Sequence, residues 1–129
     1  MKTLLKKIYK QLSKKCRKTI SNMLRRRDLF WDNNDEKESF LYFIDEDPDY
    51  IENLLDIDIW IRYQEKRIDI VESLYLFAKK DFCENFKISN GSNIFDYVDI
   101  EKYRDHLFEY DLDSHKLSSG NYAIFDRNV

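Results

Sequence analysis

Glycine and proline, the residues on which tight turns depend, are scarce in this chain: its 129 residues include two Gly and one Pro. Folds built from many short strands need many such turns, so a β-sandwich or a β-barrel is disfavoured. Apolar residues make up 43% of the chain and aromatic residues 16%, enough apolar surface to offset the entropy lost on folding. The sequence therefore predicts a mainly α fold, a bundle of about four to five helices in a single domain over residues 1–129. A small strand or hairpin around 57–63 and 122–125 is the alternative, which would make the fold α+β.

Positive and negative charges lie in different parts of the chain. Residues 1–27 contain eleven basic residues and no acidic residue. The eleven are Lys2, Lys6, Lys7, Lys10, Lys14, Lys15, Arg17, Lys18, Arg25, Arg26 and Arg27. The remaining 102 residues hold 11 basic residues and all 25 acidic residues, a formal balance of −14. We therefore expect a basic N-terminal helix, residues 1–27, packed on an acidic body, residues 28–129.

The apolar residues of the basic segment recur every three or four positions from Leu4 to Leu24, as on one face of a helix. Lysine and arginine fill the opposite face, and Arg25–Arg27 fall at its C-terminal end, where cations interact favourably with the helix dipole. The spacing predicts one amphipathic helix over 4–24. Its apolar face would pack on the protein's own core, on a membrane surface or on another chain.

Capping patterns predict three further helix starts. Asp35 and Glu38 have the spacing of a capping box for a helix that continues through residue 44, although the apolar run 40–44 also suits a buried strand. Asp47 precedes the single proline and predicts a helix over 48–56. Asp99 can cap a last helix.

Residues 57–63 fit two patterns. Ile, Trp and Tyr alternate with charged residues there, as in a half-exposed strand, but the three-and-four spacing of a helix also continues through Phe82. We favour helices, either one long helix or two hinged near 64–67, and predict a helix over 68–86. Ser89–Ser92 is a predicted turn, and 122–125 is a short edge strand or a docked tail.

The densest acidic stretch lies between Lys37 and Arg62, which enclose no other basic residue. Tyr and Trp are common anchors of protein interfaces, so the same stretch is a candidate site for a basic partner protein. The predicted partner-binding residues are Asp45, Glu46, Asp47, Asp49, Glu52, Asp56, Asp58 and Trp60. An alternative anion-binding site consists of Lys7, Lys10, Lys14, Lys15, Arg17 and Lys18.

The sequence contains no recognisable catalytic motif. It has no Gly-rich phosphate loop and no nucleophile elbow, and His106 and His115 are its only imidazoles. Cys16 and Cys83 are expected to be reduced and buried, and too few Cys and His occur at suitable spacings for a zinc site. We therefore expect neither an enzyme nor a metal or cofactor. No apolar run approaches the ~20 residues of a membrane-spanning helix, so we expect a cytoplasmic protein.

These observations favour a protein-binding inhibitor with an acidic surface. An immunity protein that neutralises a basic, nuclease-like toxin by covering its cationic site fits this description. The alternative is a protein that binds nucleic acid or an anionic membrane through the basic N-terminal helix. An enzyme of unfamiliar type would instead need an acidic cleft that contains His106.

Overall fold

The computed structural model describes residues 1–129 and contains eight α-helices, one 3-10 helix and three β-strands. The α-helices are α1 (Lys2–Tyr9), α2 (Lys14–Leu24), α3 (Arg27–Phe30), α4 (Asn34–Glu46), α5 (Pro48–Ile51), α6 (Asp56–Lys66), α7 (Leu74–Phe86) and α8 (Ile100–Tyr110). The strands are β1 (Arg67–Val71), β2 (Leu112–Lys116) and β3 (Tyr122–Asp126), and the 3-10 helix is Asn93–Asp96. The predicted mainly α fold is confirmed, and the small hairpin lies at 112–126, where it includes the predicted segment 122–125 but not 57–63. The helices number eight rather than four to five because the predicted helix over 4–24 is divided, 57–86 contains two separate helices, and α3 was not predicted.

The basic segment forms two helices, so the single predicted helix over 4–24 is wrong. The chain leaves the helical conformation at Ser13, whose ψ is 160° and whose side chain caps α2 by accepting the Cys16 N–H at 3.1 Å. Glu52 accepts both the backbone N–H of Ser13 and, at 2.7 Å, its hydroxyl, which satisfies the two donors that the break exposes. Leu12 lies inside the break and is itself buried. The apolar residues of the basic segment therefore still face one core.

Asn33, rather than Asp35, caps α4, by accepting the Glu36 N–H at 3.2 Å. Glu38 does not close a capping box, because its side chain is buried and accepts the N–H and hydroxyl of Ser118 at 2.8 and 2.7 Å. Asp47 caps the next helix as predicted, by accepting the Tyr50 N–H, but α5 ends at Ile51 instead of residue 56.

Helix α6 confirms the favoured helical interpretation of 57–63, whereas the predicted helix over 68–86 is wrong in its first part. Residues 67–71 form β1, because β3 offers them hydrogen-bond partners about 55 residues away along the chain. Ser73 then caps α7 by accepting the Leu76 N–H at 3.2 Å. The predicted cap at Asp99 is confirmed by its acceptance of the Lys102 N–H at 3.1 Å.

The three strands form an antiparallel sheet in the order β1-β3-β2. The segment 122–125, predicted as an edge strand or a tail, is therefore the central strand. Strands β2 and β3 form a hairpin whose turn is closed by the Leu117 N–H donating to the Asn121 carbonyl at 2.7 Å. Gly120 has a φ of +94° in this turn, a conformation that side chains strongly disfavour.

The main core lies between the N-terminal helices, α4, α6 and one face of the sheet. Phe40 is fully buried at its centre, and its ring lies 5.3 to 6.3 Å from those of Phe30, Phe43, Trp60 and Tyr63. The residues of this core are Ile8, Leu12, Cys16, Ile20, Met23, Phe30, Phe40, Leu41, Phe43, Ile44, Ile51, Ile59, Tyr63, Leu117, Ala123 and Phe125. Both amphipathic basic helices thus bury their apolar stripe in this core.

Four buried apolar residues lie outside the main core: Ala78, Ile100, Leu112 and Ile124. Ile124 stands between Ala123 and Phe125 on β3, and alternation along a strand directs it to the opposite face of the sheet. Ala78 and Ile100 belong to α7 and α8, which pack against each other, and α8 also contacts β2. The sheet therefore separates two apolar clusters. The longest helices have 13 residues, and none combines the length and hydropathy required to cross a bilayer.

Candidate functional site

Several carboxylates of the predicted partner-binding site are engaged within the protein. Asp45 forms an ion pair with Lys7 at 3.1 Å, and its other oxygen is buried without a partner. Glu46 lies 3.9 Å from Lys66, and Asp47 caps α5. This end of α4 is therefore occupied by contacts that hold α1, α5 and α6 in place.

The remaining predicted carboxylates are divided between structural contacts and solvent. Glu52 binds Ser13, and Asp56 lies 3.7 Å from Arg26 in an exposed ion pair. The side chains of Asp49 and Asp58 are exposed and form neither a hydrogen bond nor an ion pair. Of the predicted acidic residues, Asp49 and Asp58 are thus the two without a partner within the protein.

Trp60 does not lie free on the surface as an anchor. It is half-buried, and its ring packs 5.2 Å from Phe30 and 5.5 Å from Tyr63 against the main core. The structure exposes a different tryptophan. Trp31, which follows α3 directly, has 75% of its surface exposed.

Helix α6 and the residue that precedes it carry three exposed aliphatic side chains. Leu55, Ile57 and Ile61 are 69%, 58% and 47% exposed. The ion pair of Arg26 with Asp56 and the contact of Phe30 with Trp60 hold α3 against α6. We call Trp31, Leu55, Ile57 and Ile61 the α3–α6 patch. A cavity of about 330 Å³ opens beside it, with Arg26, Leu55 and Asp56 in its wall.

The backbone at Trp31 adopts an unusual conformation. Trp31 and Asp32 have φ values of 51° and 57°, so two consecutive residues with side chains occupy the left-handed region. Each such residue costs on the order of 1 to 3 kcal/mol relative to an ordinary conformation. The Trp31 N–H donates to the Arg27 carbonyl at 2.9 Å, which ends α3 and directs the chain into this turn.

The carboxylates on α3, α6 and the turn after α3 outnumber their arginine partners. Asp28 and Asp56 both contact Arg26, at 2.7 and 3.7 Å, Asp32 contacts Arg27 at 3.3 Å, and Asp58 has no partner. A hydrogen bond from Arg26 holds the pKa of Asp28 below its ordinary value. The patch therefore combines exposed apolar side chains with a negatively charged margin.

The sequence analysis did not identify Trp31 as a candidate binding residue, although the sequence contains a pattern that indicates a helix end at this position. Trp31 ends the apolar run 29–31, and the polar residues 32–35 follow it immediately. Asp and Asn tolerate the left-handed conformation better than most residues, so a helix end was predictable there. The exposure of this tryptophan was not predictable from the sequence, because it depends on how α3 packs on α6.

The structure leaves most of the N-terminal positive charge unpaired. Of the eleven basic residues in 1–27, only Lys7, Arg26 and Arg27 lie within 4.0 Å of a carboxylate oxygen. The eight others are exposed, and we call them the basic surface: Lys2, Lys6, Lys10, Lys14, Lys15, Arg17, Lys18 and Arg25. Five of the six predicted anion-binding residues belong to it. The sixth, Lys7, binds Asp45.

The two imidazoles lie apart and in different environments. His106 is exposed on α8 with its ring 4.9 Å from Tyr110. His115 is half-buried on β2, stacked at 4.6 Å on Tyr42 of α4. No three His, Cys, Asp or Glu side chains are arranged to hold a metal ion. Burial raises the pKa of the Cys16 thiol, and Cys83 is only half-buried, against the expectation that both cysteines are buried.

Burial of His115 makes stability depend on pH. Desolvation lowers the pKa of His115 below its ordinary value of about 6.5, although Glu46, Asp113 and Asp45 act in the opposite direction. The unfolded chain then binds a proton more readily than the folded protein, so we expect the free energy of unfolding to fall as pH decreases below about 6.5. His115→Phe keeps an aromatic ring against Tyr42 and should reduce this loss between about pH 7 and 5, measured by urea unfolding. Equal pH dependence in both proteins would contradict the assignment.

The chain matches no protein-family model, no curated protein and no solved structure. The functional argument therefore depends on the geometry of the α3–α6 patch and of the basic surface.

Proposed function

We propose that this protein is an inhibitor that binds one basic protein partner through the α3–α6 patch. An immunity protein that covers the cationic site of a nuclease-like toxin is the functional class that this geometry suits. The observation that carries the proposal is the exposed Trp31 directly after α3, together with the exposed Leu55 and Ile57 at the start of α6, which α3 contacts, and the carboxylates that these elements carry. Contiguous exposed apolar patches with a polar margin are typical of protein interaction sites.

The chemistry of the patch agrees with a protein partner. Tryptophan is among the residues most often found at the energetic centre of an interface, where it fills a desolvated pocket. The unpaired carboxylate of Asp58 and the exposed acids beside it would attract a cationic surface and raise the rate of association. Leu55, Ile57 and Ile61 would supply apolar contact area at the centre of the interface.

The backbone strain at Trp31 supports the same proposal. A bulky residue in the left-handed conformation costs stability, and its largely exposed side chain recovers little by burial. Strained conformations of this kind cluster at binding and catalytic sites. A role in recognition gives a reason for tryptophan at this position.

The inhibitor is proposed to act in the cytoplasm. Cys16 and Cys83 form no disulfide, as is usual where glutathione and thioredoxin keep thiols reduced. A toxin that degrades nucleic acid would meet the inhibitor in the same compartment.

Affinity capture followed by measurement on purified components tests the proposal. The full chain would be immobilised, exposed to extract of its source cell, and the captured protein identified, purified and titrated against wild type and variants. We expect a basic partner whose own activity is inhibited at a one-to-one ratio. Trp31→Asn should weaken binding by about 30-fold, the equivalent of about 2 kcal/mol for an interface anchor. Tyr97→Asn, at an 89% exposed tyrosine beyond α7, is the matched control and should bind as wild type does.

Three results would overturn the inhibitor proposal. They are capture of no specific protein, a captured partner with an acidic binding surface, and unchanged affinity in Trp31→Asn. Charge reversal at Asp58 adds a kinetic measurement: Asp58→Lys should slow association with a basic partner and reduce its dependence on salt.

Trp31→Asn should also stabilise the isolated protein. Asparagine adopts the left-handed conformation with less strain than tryptophan, and little buried area is lost, so we expect the free energy of unfolding to rise by about 1 kcal/mol. Urea unfolding of wild type and variant measures this change. A decrease instead would show that Trp31 contributes to packing, and would remove the strain argument for a binding role.

A further inference from the structure

The basic surface is an ordered array and not a flexible tail. Helices α1 and α2 bury Ile8, Cys16 and Ile20 in the main core, and Leu12 between them is buried there too, so the opposite face of each helix is held towards solvent. With 8 and 11 residues, the helices are about 12 and 17 Å long at 1.5 Å per residue. The eight unpaired cations are therefore carried by two short, ordered helices and the residues that border them.

The body does not neutralise this array, although it carries a formal charge of −14. The eleven basic residues of 1–27 form ion pairs at only three positions, and two of these, Arg26 and Arg27, belong to the margin of the α3–α6 patch. Folding has therefore left eight of the eleven N-terminal cations without an ion-pair partner. Unpaired positive charge of this kind is expected where a surface meets a polyanion.

We propose that the basic surface binds the phosphate backbone of a double-stranded nucleic acid without base-specific contacts. Six of its eight residues are lysines, which contact phosphate as point charges and lack the planar fork with which arginine reads guanine. Phosphate contacts of this type carry no sequence information. The inference goes beyond the proposed inhibitor function and does not depend on it.

A nucleic acid suits this surface better than an anionic membrane. Interfacial helices insert an apolar face into the bilayer, but the apolar faces of α1 and α2 are already packed in the protein core. The exposed apolar residues of the α3–α6 patch lie among carboxylates, which anionic lipids would repel. A duplex covers only part of the protein surface, whereas a bilayer presents a plane of negative charge to the acidic body as well, within a screening length of about 8 to 10 Å.

Fluorescence polarisation with labelled duplex DNA and duplex RNA of about 20 base pairs, at salt concentrations between about 50 and 200 mM, tests the inference. Four phosphate contacts would give a slope of about −3.6 in the logarithmic plot of affinity against salt, and roughly a hundredfold loss over that range. Permuting the base sequence should leave affinity unchanged. Each of the replacements Lys10→Gln, Lys14→Gln and Lys18→Gln should reduce the magnitude of the slope of affinity against salt by about 1.

The matched control replaces exposed lysines of the acidic body, Lys87→Gln, Lys102→Gln and Lys116→Gln, and should leave affinity unchanged. Trp31→Asn should also bind duplexes as wild type does, so failure of this inference and failure of the inhibitor proposal are distinguishable. Absence of duplex binding at about 50 mM salt, or equal loss in both triple variants, would overturn the inference. Tighter binding to vesicles with about 30 mol% phosphatidylserine, through the same lysines, would assign the surface to a membrane instead.

Discussion

Phe40→Ala is expected to lower the free energy of unfolding by about 3 to 5 kcal/mol, the range for truncation of a fully buried phenylalanine. The ring is completely enclosed and meets the rings of Phe30, Phe43, Trp60 and Tyr63. Alanine would leave a cavity that these stiff aromatic neighbours cannot fill by relaxation. Urea unfolding followed by circular dichroism measures the loss.

Phe86→Ala is the control for this prediction. Phe86 ends α7 and is 58% exposed, so the same change in chemistry should cost less than about 1 kcal/mol. Similar losses in both variants would show that the main core is not centred on Phe40. The consequence would extend to the proposed binding site, because Phe30 connects this core to Trp31.

Ile124→Ala is expected to lower the free energy of unfolding by about 2 to 5 kcal/mol. Ile124 is fully buried on the central strand and belongs to the cluster between the sheet and helices α7 and α8. Its loss should therefore loosen α7 and α8 before the main core. Hydrogen exchange would detect this as faster exchange of the α7 and α8 amides at conditions where α4 remains protected.

Ile68→Ala supplies the matched control on the same sheet. Ile68 lies on β1, an edge strand, and is 42% exposed, so its replacement should have a much smaller effect. If Ile124→Ala were as mild as Ile68→Ala, 122–125 would be the edge strand or docked tail of the sequence-based prediction. Equal acceleration of exchange throughout the protein would indicate that the two clusters unfold together.

The two proposed surfaces carry opposite charge and have separate tests. Trp31→Asn affects the α3–α6 patch, whereas Lys10→Gln, Lys14→Gln and Lys18→Gln affect the basic surface. These substitutions are all at exposed positions, so differences in binding should not follow from loss of the fold. A partner that needs both surfaces would be weakened by both sets, and comparison of the variants would show this directly.

Local sequence patterns predicted those features that depend on neighbouring residues. Asp47 and Asp99 cap helices because a side-chain oxygen reaches an N–H three residues on, a contact within one turn. The helix over 57–63 and the turn at 89–92 follow from equally short-range patterns. The apolar face of the basic segment was also correctly predicted, because three-and-four spacing survives the break at Ser13.

Contacts between distant residues decided the rest. Glu52 accepts hydrogen bonds from Ser13 in the break between α1 and α2. Glu38 binds Ser118, 80 residues away, instead of closing a capping box. The central position of β3 depends on pairing with β1 and β2 together, which no local pattern contains. Hydrogen bonds and burial between distant parts of the chain outweigh helix and strand propensities, which differ by less than about 1 kcal/mol per residue.

The sequence by itself determined that the chain is mainly helical, that its charge is divided, and that the basic helices are amphipathic, because composition and periodicity are local properties. Only the tertiary structure decided which charges remain unpaired and which tryptophan is exposed. Trp60 and Trp31 are equally apolar, but packing against Phe30 and Tyr63 covers about half of Trp60, while Trp31 in the left-handed turn after α3 is largely exposed. Exposure depends on what packs against a residue, and the packing partners come from other helices.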